Sequence, residues 1–321
     1  MKKQQIVSQL LKGREKHQPE GLSSAYAPSN IALCKYWGKR DRELNLPVNS
    51  SLSISLASLG CTTVIKVIDA PEDQVILNGE TLEADAVFST RVSAYLDLFR
   101  QDHHFEINTQ NTIPTAAGLA SSASGFAALA EALNGLFNWQ CDEKTLSILA
   151  RLGSGSACRS IYHGFVAWDK GERDDGLDSF ATQIPSDWTD LRLGVLLFDK
   201  TEKAISSREA MQRSVETSCY FNAWELTAQT DFEQIKSAIK QQDFRLLGET
   251  SERNALAMHA TMLTAKPPVC YWQASTLAAM QRVWALRADG VDVYFTEDAG
   301  PNLKLLFEKS SLQAIKAAFP D

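Results

Sequence analysis

Four short segments hold residues whose types and order could do chemistry. One is Pro114-Thr-Ala-Ala-Gly118-Leu119-Ala120-Ser121-Ser122-Ala-Ser124-Gly125. A proline turn passes through small residues to hydroxyls that open a helix. Gly118 lets backbone approach a ligand closely, and the free N–H groups and dipole of a helix start favour phosphate. Ser121 and Ser122 could add hydroxyl hydrogen bonds or help hold Mg²⁺. The Gly-Lys-Ser/Thr ending of a Walker A loop is missing. The same residues also suit a tightly packed Ala/Ser/Gly helix with an ordinary serine cap.

The second segment is Lys35-Tyr36-Trp37-Gly38-Lys39-Arg40. Read as a strand, it puts Lys35 and Lys39 on one face and Arg40 on the other. Tyr36 and Trp37 between the cations could wall a pocket and lower its dielectric; the plainer alternative is a solvated face. In Gly153-Ser154-Gly155-Ser156-Ala157-Cys158-Arg159-Ser160, two serines could approach phosphate oxygens, and Arg159 offers a planar fork for a carboxylate or phosphate. A Gly/Ser turn with a surface arginine is equally compatible. Asp298 follows the apolar run 291–296 and precedes Gly300-Pro301. It either caps a turn or is a carboxylate fixed at a strand end, aimed at an attacking hydroxyl.

These segments need elements to position them. Strand patterning falls at 23–27, 31–36, 51–56, 62–68, 74–77 and 105–108, and a further strand pair is expected from 164–169 and 191–198. Helical spacing covers 84–99, 121–137 and 143–152. Between 204 and 286 the chain reads as several helices, followed by strands at 291–296 and 305–307 and a closing helix at 312–318. Strands and helices mix without βαβ alternation, so the fold class expected is α+β. With 321 residues, two domains are expected, 1–188 and 189–321, with a seam near 186–191 and a variable helical extension at 1–24.

Lys and Arg total 32 against 39 Asp and Glu, which argues against a nucleic-acid coat. No apolar run nears the roughly 20 residues of a membrane span, and residues 1–21 are a poor secretory signal. The six cysteines share no ligand spacing and suit reduced thiols of a cytoplasmic protein. Histidines cluster only at His103-His104, so no protein-held metal is expected; a metal carried in with a phosphate substrate is compatible.

The segment 114–125 resembles the second motif of the GHMP kinases, among them galactokinase, homoserine kinase and mevalonate kinase. Ala27-Pro28-Ser29-Asn30-Ile31-Ala32 with 35–41, Leu46-Pro47-Val48-Asn49-Ser50-Ser51-Leu52-Ser53, the 153–160 run and Asp298-Ala299-Gly300-Pro301-Asn302 narrow the likeness to the diphosphomevalonate decarboxylases, from Ala27 to Asn302. That resemblance implies a two-domain GHMP kinase fold with the site in the cleft between domains. It implies catalytic roles for Asp298, Lys35 and Arg159, with Arg159 facing the substrate carboxylate. Substrate contacts are implied for Tyr36, Trp37, Gly38, Lys39, Ser154, Gly155, Ser156, Ala157, Cys158, Thr217 and, for the diphosphate, Arg91. ATP falls to Pro114, Gly118, Leu119, Ala120, Ser121 and Ser122, with Ser122 near Mg²⁺. Asn254 and His259 also match family positions, without a chemical role.

The implied reaction takes (R)-5-diphosphomevalonate, ATP and Mg²⁺ to isopentenyl diphosphate, CO₂, ADP and phosphate through a 3-phosphorylated intermediate. A homodimer in the cytoplasm is implied as well. The rivals are a GHMP kinase that stops at phosphorylation, a decarboxylase of the monophosphate, and a ligand-binding regulator without turnover.

Overall fold

The computed structural model describes residues 2–112, 121–199 and 204–320. Helix α1 (Lys3–Leu11) leads through a short 3-10 turn to β1 (Leu22–Cys34). Strands β2 (Lys39–Asp41) and β3 (Leu46–Pro47) form a small antiparallel pair, and β4 (Ser51–Ile68) follows. Next come β5 (Gln74–Leu77), β6 (Glu80–Thr81), α2 (Val87–Leu96), β7 (His104–Asn111), α3 (Ser121–Leu136), α4 (Glu143–Gly153), β8 (Phe165–Trp168) and β9 (Ala181–Ile184). The large sheet runs β6-β5-β7-β4-β8-β9, with β1 also paired to β4. β4 is long enough to hold β7 along 61–68 and β8 along 51–54.

β1 shifts register at Pro28/Asn30, where proline has no N–H to give the ladder. Opposite the shift the chain needs glycine, because a Cβ on Gly60 would lie 2.2 Å from the Ala27 carbonyl oxygen. Helix α3 lies on β1 and β4, and its buried Ala123, Ala127, Ala128 and Ala132 let the helix axis come close.

A second, three-stranded sheet is antiparallel and contains β10 (Leu191–Leu196), β11 (Val293–Glu297) and β12 (Leu303–Glu308), with β12 central. Between β10 and β11 come α5 (Ser207–Thr217), α6 (Phe221–Gln241), α7 (Phe244–Leu263) and α8 (Ala274–Ala288), and α9 (Leu312–Ala318) closes the described chain. One apolar cluster joins the two sheets: Leu33, Cys34 and Phe165 from the first meet Trp188, Phe232, Tyr294 and Leu306.

The α+β class holds, and three details differ from expectation. Residues 164–169 and 191–198 do not pair. β9 takes the free edge of β8, which leaves β10 to β12. The expected strands 23–27 and 31–36 are one strand that stops at Cys34. Lys35 and Lys39 therefore share no strand face: Gly38 turns the chain at φ 110°, and Lys39 opens β2 in a different sheet.

Candidate active site

Asp298 is the first residue after β11, and Lys35 is the first after β1, so two strand ends deliver them to one point. Lys35 Nζ donates to Asp298 Oδ1 at 2.8 Å, and Lys304 Nζ, from β12, lies 3.2 Å from Oδ2. Both lysine side chains are 2% exposed and the carboxylate 30%, so the carboxylate is the accessible end of this ion triad. Burial pushes the Asp298 carboxyl up, but Lys304 and Lys35 outweigh it and hold it well below the usual carboxylate range. Burial pulls the Lys35 ammonium down, and Asp298 offsets part of that.

The surrounding backbone fixes this pair. Lys35 donates its N–H to Asn254 Oδ1 at 2.8 Å, and its carbonyl accepts from Asn49 Nδ2 at 2.8 Å. Asn254 donates in turn to Asp231 Oδ2 at 2.9 Å. His259 donates Nε2–H to the Asp298 carbonyl at 3.2 Å and stacks on Trp272 with centroids 5.2 Å apart. Burial pulls the His259 pKa down to about 3 and pushes Glu297 up to about 8. Their 3.6 Å approach is therefore a contact of two neutral groups at pH 7. Asn254 and His259 thus position Lys35 and Asp298.

Arg159 lies in the 3-10 run Gly155–Ile161 and is 3% exposed. Its Nη1 donates to Ser51 Oγ and its Nη2 to Asn30 Oδ1 at 3.3 Å, while Nε has no hydrogen-bond partner. Burial depresses its pKa, and the charge of Asp298 is among those that oppose this. A buried guanidinium with only neutral hydrogen-bond partners among the described residues is built to receive an anion. Tyr36 packs on Trp168 at 4.7 Å between centroids, and its hydroxyl also lacks a partner. Gly155 is required beside it, since a Cβ there would sit 2.6 Å from that hydroxyl oxygen. Trp37 is buried in a cluster with Phe221 and Met211. Ser154 is buried and Ser156 half-buried. The side chains of Ala157 and Cys158 are in the large apolar core; the Ala157 N–H donates to the Ser154 carbonyl at 2.9 Å and the Cys158 carbonyl accepts from Ser147 Oγ at 3.1 Å.

A cavity of about 370 Å³ opens where α2 and the end of α4 face α5. Lys3, Lys39, Arg42, Arg91 and Arg208 line it, with Glu43 as the only acidic residue among the described residues of its lining. Arg42 is occupied by Glu216; none of the other four cations is ion-paired with a described residue. Burial, then Arg208, Lys3 and Arg91, pull the Lys39 ammonium down to about 8, and burial with Arg208 pulls Arg91 down to about 10. Cations crowded without counterions mark a site for a multiply charged anion.

Thr217 ends α5, donating its hydroxyl to the Arg213 carbonyl at 2.7 Å and accepting the Lys266 N–H at 2.7 Å; it does not line the cavity. Pro114, Gly118, Leu119 and Ala120 lie outside the described residues. α3 begins at Ser121, with Ser122 half-buried in its first turn. Among the described residues, no group of three His, Cys, Asp or Glu could hold a metal ion.

Residues 27–181 match the family model of the diphosphomevalonate decarboxylase-like N-terminal domain, and 194–320 match that of the mevalonate 5-diphosphate decarboxylase C-terminal domain. The chain belongs to the diphosphomevalonate decarboxylase family. The Aspergillus fumigatus diphosphomevalonate decarboxylase is 39% identical over 89% of this chain and 76% of its own. The Saccharomyces cerevisiae enzyme is 37% identical over 89% and 77%. Among solved structures, mevalonate diphosphate decarboxylase from Staphylococcus aureus superposes with a TM-score of 0.88 at 40% identity, covering 93% of this chain and 91% of that one. The complex described as MDDEF with MVAPP, AMPPCP and magnesium gives 0.86 at 44% identity, covering 92% of both chains. The mixed α/β fold is thus the GHMP kinase fold of the mevalonate diphosphate decarboxylases.

The family motifs quoted from this decarboxylase sequence do not reach Lys304, Arg208 or Lys3. Lys304 did leave a signal, a lone charge in the apolar run Leu303–Phe307. Arg208 and Lys3 left none, because the cavity is assembled from helices far apart in sequence.

Proposed function

We infer that this chain carries out ATP-dependent decarboxylation of (R)-5-diphosphomevalonate to isopentenyl diphosphate, with release of ADP, phosphate and CO₂. One observation carries the reading. The five-residue stretch from Lys35 to Lys39 links a part-exposed carboxylate held by two buried lysines to a cavity lined by four cations without an ion pair among the described residues. Four peptide units separate the two lysine Cα atoms by no more than about 15 Å. That suits a short substrate with a reactive carbon at one end and a diphosphate at the other.

In this reading Asp298 accepts a hydrogen bond from the carbon-3 hydroxyl. Its depressed pKa makes it a weak base, so the proton moves late, as the phosphoryl group arrives. Lys35 and Lys304 fix the carboxylate and offset charge that builds nearby. Arg159, free of any described anionic partner, orients the substrate carboxylate and meets the departing phosphate. Holding the carboxylate too tightly would stabilise the ground state and slow CO₂ loss, and the long 3.3 Å bond and the unpartnered Nε of Arg159 fit a guanidinium with capacity to spare. Lys39, Arg91 and Arg208 take the diphosphate, whereas Ser154, Ser156 and the Tyr36 hydroxyl suit its neighbouring oxygens.

ATP supplies the phosphoryl group and Mg²⁺ neutralises charge on it. The 16-residue helix α3 starts with two serines, which fits a phosphate-binding end, and Ser122 is the residue suited to the metal-bound phosphate. We further propose two domains, 1–188 and 189–321, and a homodimer in the cytoplasm, on the strength of the family resemblance. No described helix is long and apolar enough to cross a membrane. The deciding experiment compares mevalonate, its 5-phosphate and its 5-diphosphate with ATP and Mg²⁺, counting ADP and CO₂ separately. CO₂ from the diphosphate alone supports the reading. ADP without CO₂ would make the chain a kinase, and no ADP from any substrate would make it a binding protein.

A further inference from the structure

We propose that Lys3, on the helix that precedes the family-matched region, is a binding residue for the substrate's diphosphate. The family match begins at residue 27, so nothing in the family motifs assigns α1 a part in the site. Ile6, Val7 and Leu11 are 0%, 2% and 0% exposed and belong to the same apolar core as Tyr95 and Leu152. The i+3 and i+4 spacing puts Lys3 on the face of α1 that carries Ile6 and Val7. The helix is therefore seated, and its seating aims Lys3 into the cavity that Lys39, Arg91 and Arg208 also line.

A polar relay holds the ammonium there. Lys3 Nζ donates to the Leu152 carbonyl at 2.8 Å. That carbonyl also accepts from Asn45 Nδ2 at 3.3 Å, and Asn45 Oδ1 accepts from Lys39 Nζ at 2.6 Å. Lys3 and Lys39 are thus two ends of one hydrogen-bonded unit. A half-buried lysine normally pairs with a carboxylate or reaches water; this one is kept beside three other cations with a neutral carbonyl as its only described partner. Burial lowers its pKa, and Arg208 and Arg91 lower it further against the pull of Glu43. An anion of two or more charges would relieve all four cations together, which a single carboxylate would not.

The inference rests on the cavity's taking the diphosphate, and the test separates the two. Full-length Lys3→Gln, Lys3→Arg, Lys3→Glu and Lys39→Gln are compared for KM toward 5-diphosphomevalonate, KM toward ATP, kcat and melting temperature. Losing one charge-assisted contact raises the KM for 5-diphosphomevalonate in Lys3→Gln by about tenfold. ATP KM, kcat and melting temperature stay near wild type, Lys3→Arg restores binding, and Lys3→Glu is worse than Lys3→Gln. A normal KM in Lys3→Gln beside a raised one in Lys39→Gln removes Lys3 from the site and leaves the cavity reading standing. Normal values in both overturn the cavity reading itself. A fall in melting temperature, or an equal rise in both KM values, assigns Lys3 to the fold instead.

Discussion

Replacing Asp298 with Asn keeps the size of the side chain and one carbonyl oxygen, but it takes the negative charge from between ammoniums at 2.8 and 3.2 Å. Two lysines that are 2% exposed then lose the carboxylate they both contact, and the acid left nearby, Glu297, is held neutral by burial up to about pH 8. Removing one partner of a buried ion pair costs about 3–5 kcal/mol, and the 30% exposure of the carboxylate keeps the expectation near the low end, about 3 kcal/mol. For a chain of this size, with m of about 3 kcal/mol per M, the urea midpoint at pH 7 falls by about 1 M. The sign of the pH dependence follows from Lys35. Its folded-state pKa is already lowered by burial and drops further without Asp298, while the unfolded value stays at about 10.4. Between those values the folded chain has shed a proton that the unfolded chain keeps, so the stability of the variant rises with pH. Urea melts at pH 7 and pH 9 should therefore show a deficit that shrinks. In rapid-quench assays the same variant should bind substrates and form at least a hundredfold less ADP, roughly the loss of a general base. An unchanged midpoint at pH 7, or a deficit that ignores pH, would refute the view of Asp298 as the counterion of two buried lysines.

Lys39 titrates near 8, so the KM for 5-diphosphomevalonate should climb as pH rises through 8, while Lys39→Gln should show a raised, flatter profile. Glu297, held neutral by burial up to about pH 8, keeps a proton that the unfolded chain releases near 4.5; its contribution to wild-type stability therefore falls as pH rises from 5 to 8. Glu297→Gln should match wild type at pH 5 and exceed it by about 3 kcal/mol at pH 8, read by urea melts, and parallel curves would deny the shift. Arg159→Lys keeps charge but loses the fork, so ADP should outrun CO₂ in single-turnover quench experiments; equal losses of both would place Arg159 in binding or in the first step.

Local patterning made the strands and helices legible because their burial is local. The period-two runs at 62–68 and 105–108 do lie in adjacent strands, and the small residues after Ser121 do form a close-packed helix. The errors came where pairing is decided at long range. Nothing within 164–169 says that its partners are 51–54 and 181–184 rather than 191–196. The site was half legible. Asp298, Lys35 and Arg159 stand in recognisable runs, and they lie close enough for their charges to shift one another's pKa. The cationic cavity was not legible beyond Lys39 and Arg91, because Lys3 and Arg208 enter it from α1 and from the start of α5. Lys35 and Lys39 were misread as one strand face because period-two counting ignores Gly38, whose positive φ redirects the chain.

The apolar cluster shared by the two sheets has a bearing on recombination. Lys35 follows Cys34 directly, and Asp298 stands four residues after Tyr294; both Cys34 and Tyr294 are in that cluster. The alignment of the ion triad is therefore inherited from how two faces of different sheets interdigitate at crystal-like density. A chimera that spliced residues 1–185 of one homologue to 190–321 of another would cross no strand, and each sheet would stay whole. It would still join two faces shaped for other partners, and the misfit would surface as a lysine and an aspartate out of reach of each other. Restoring the triad in such a chimera would take matched substitutions on both faces of the cluster, at residues that touch no substrate.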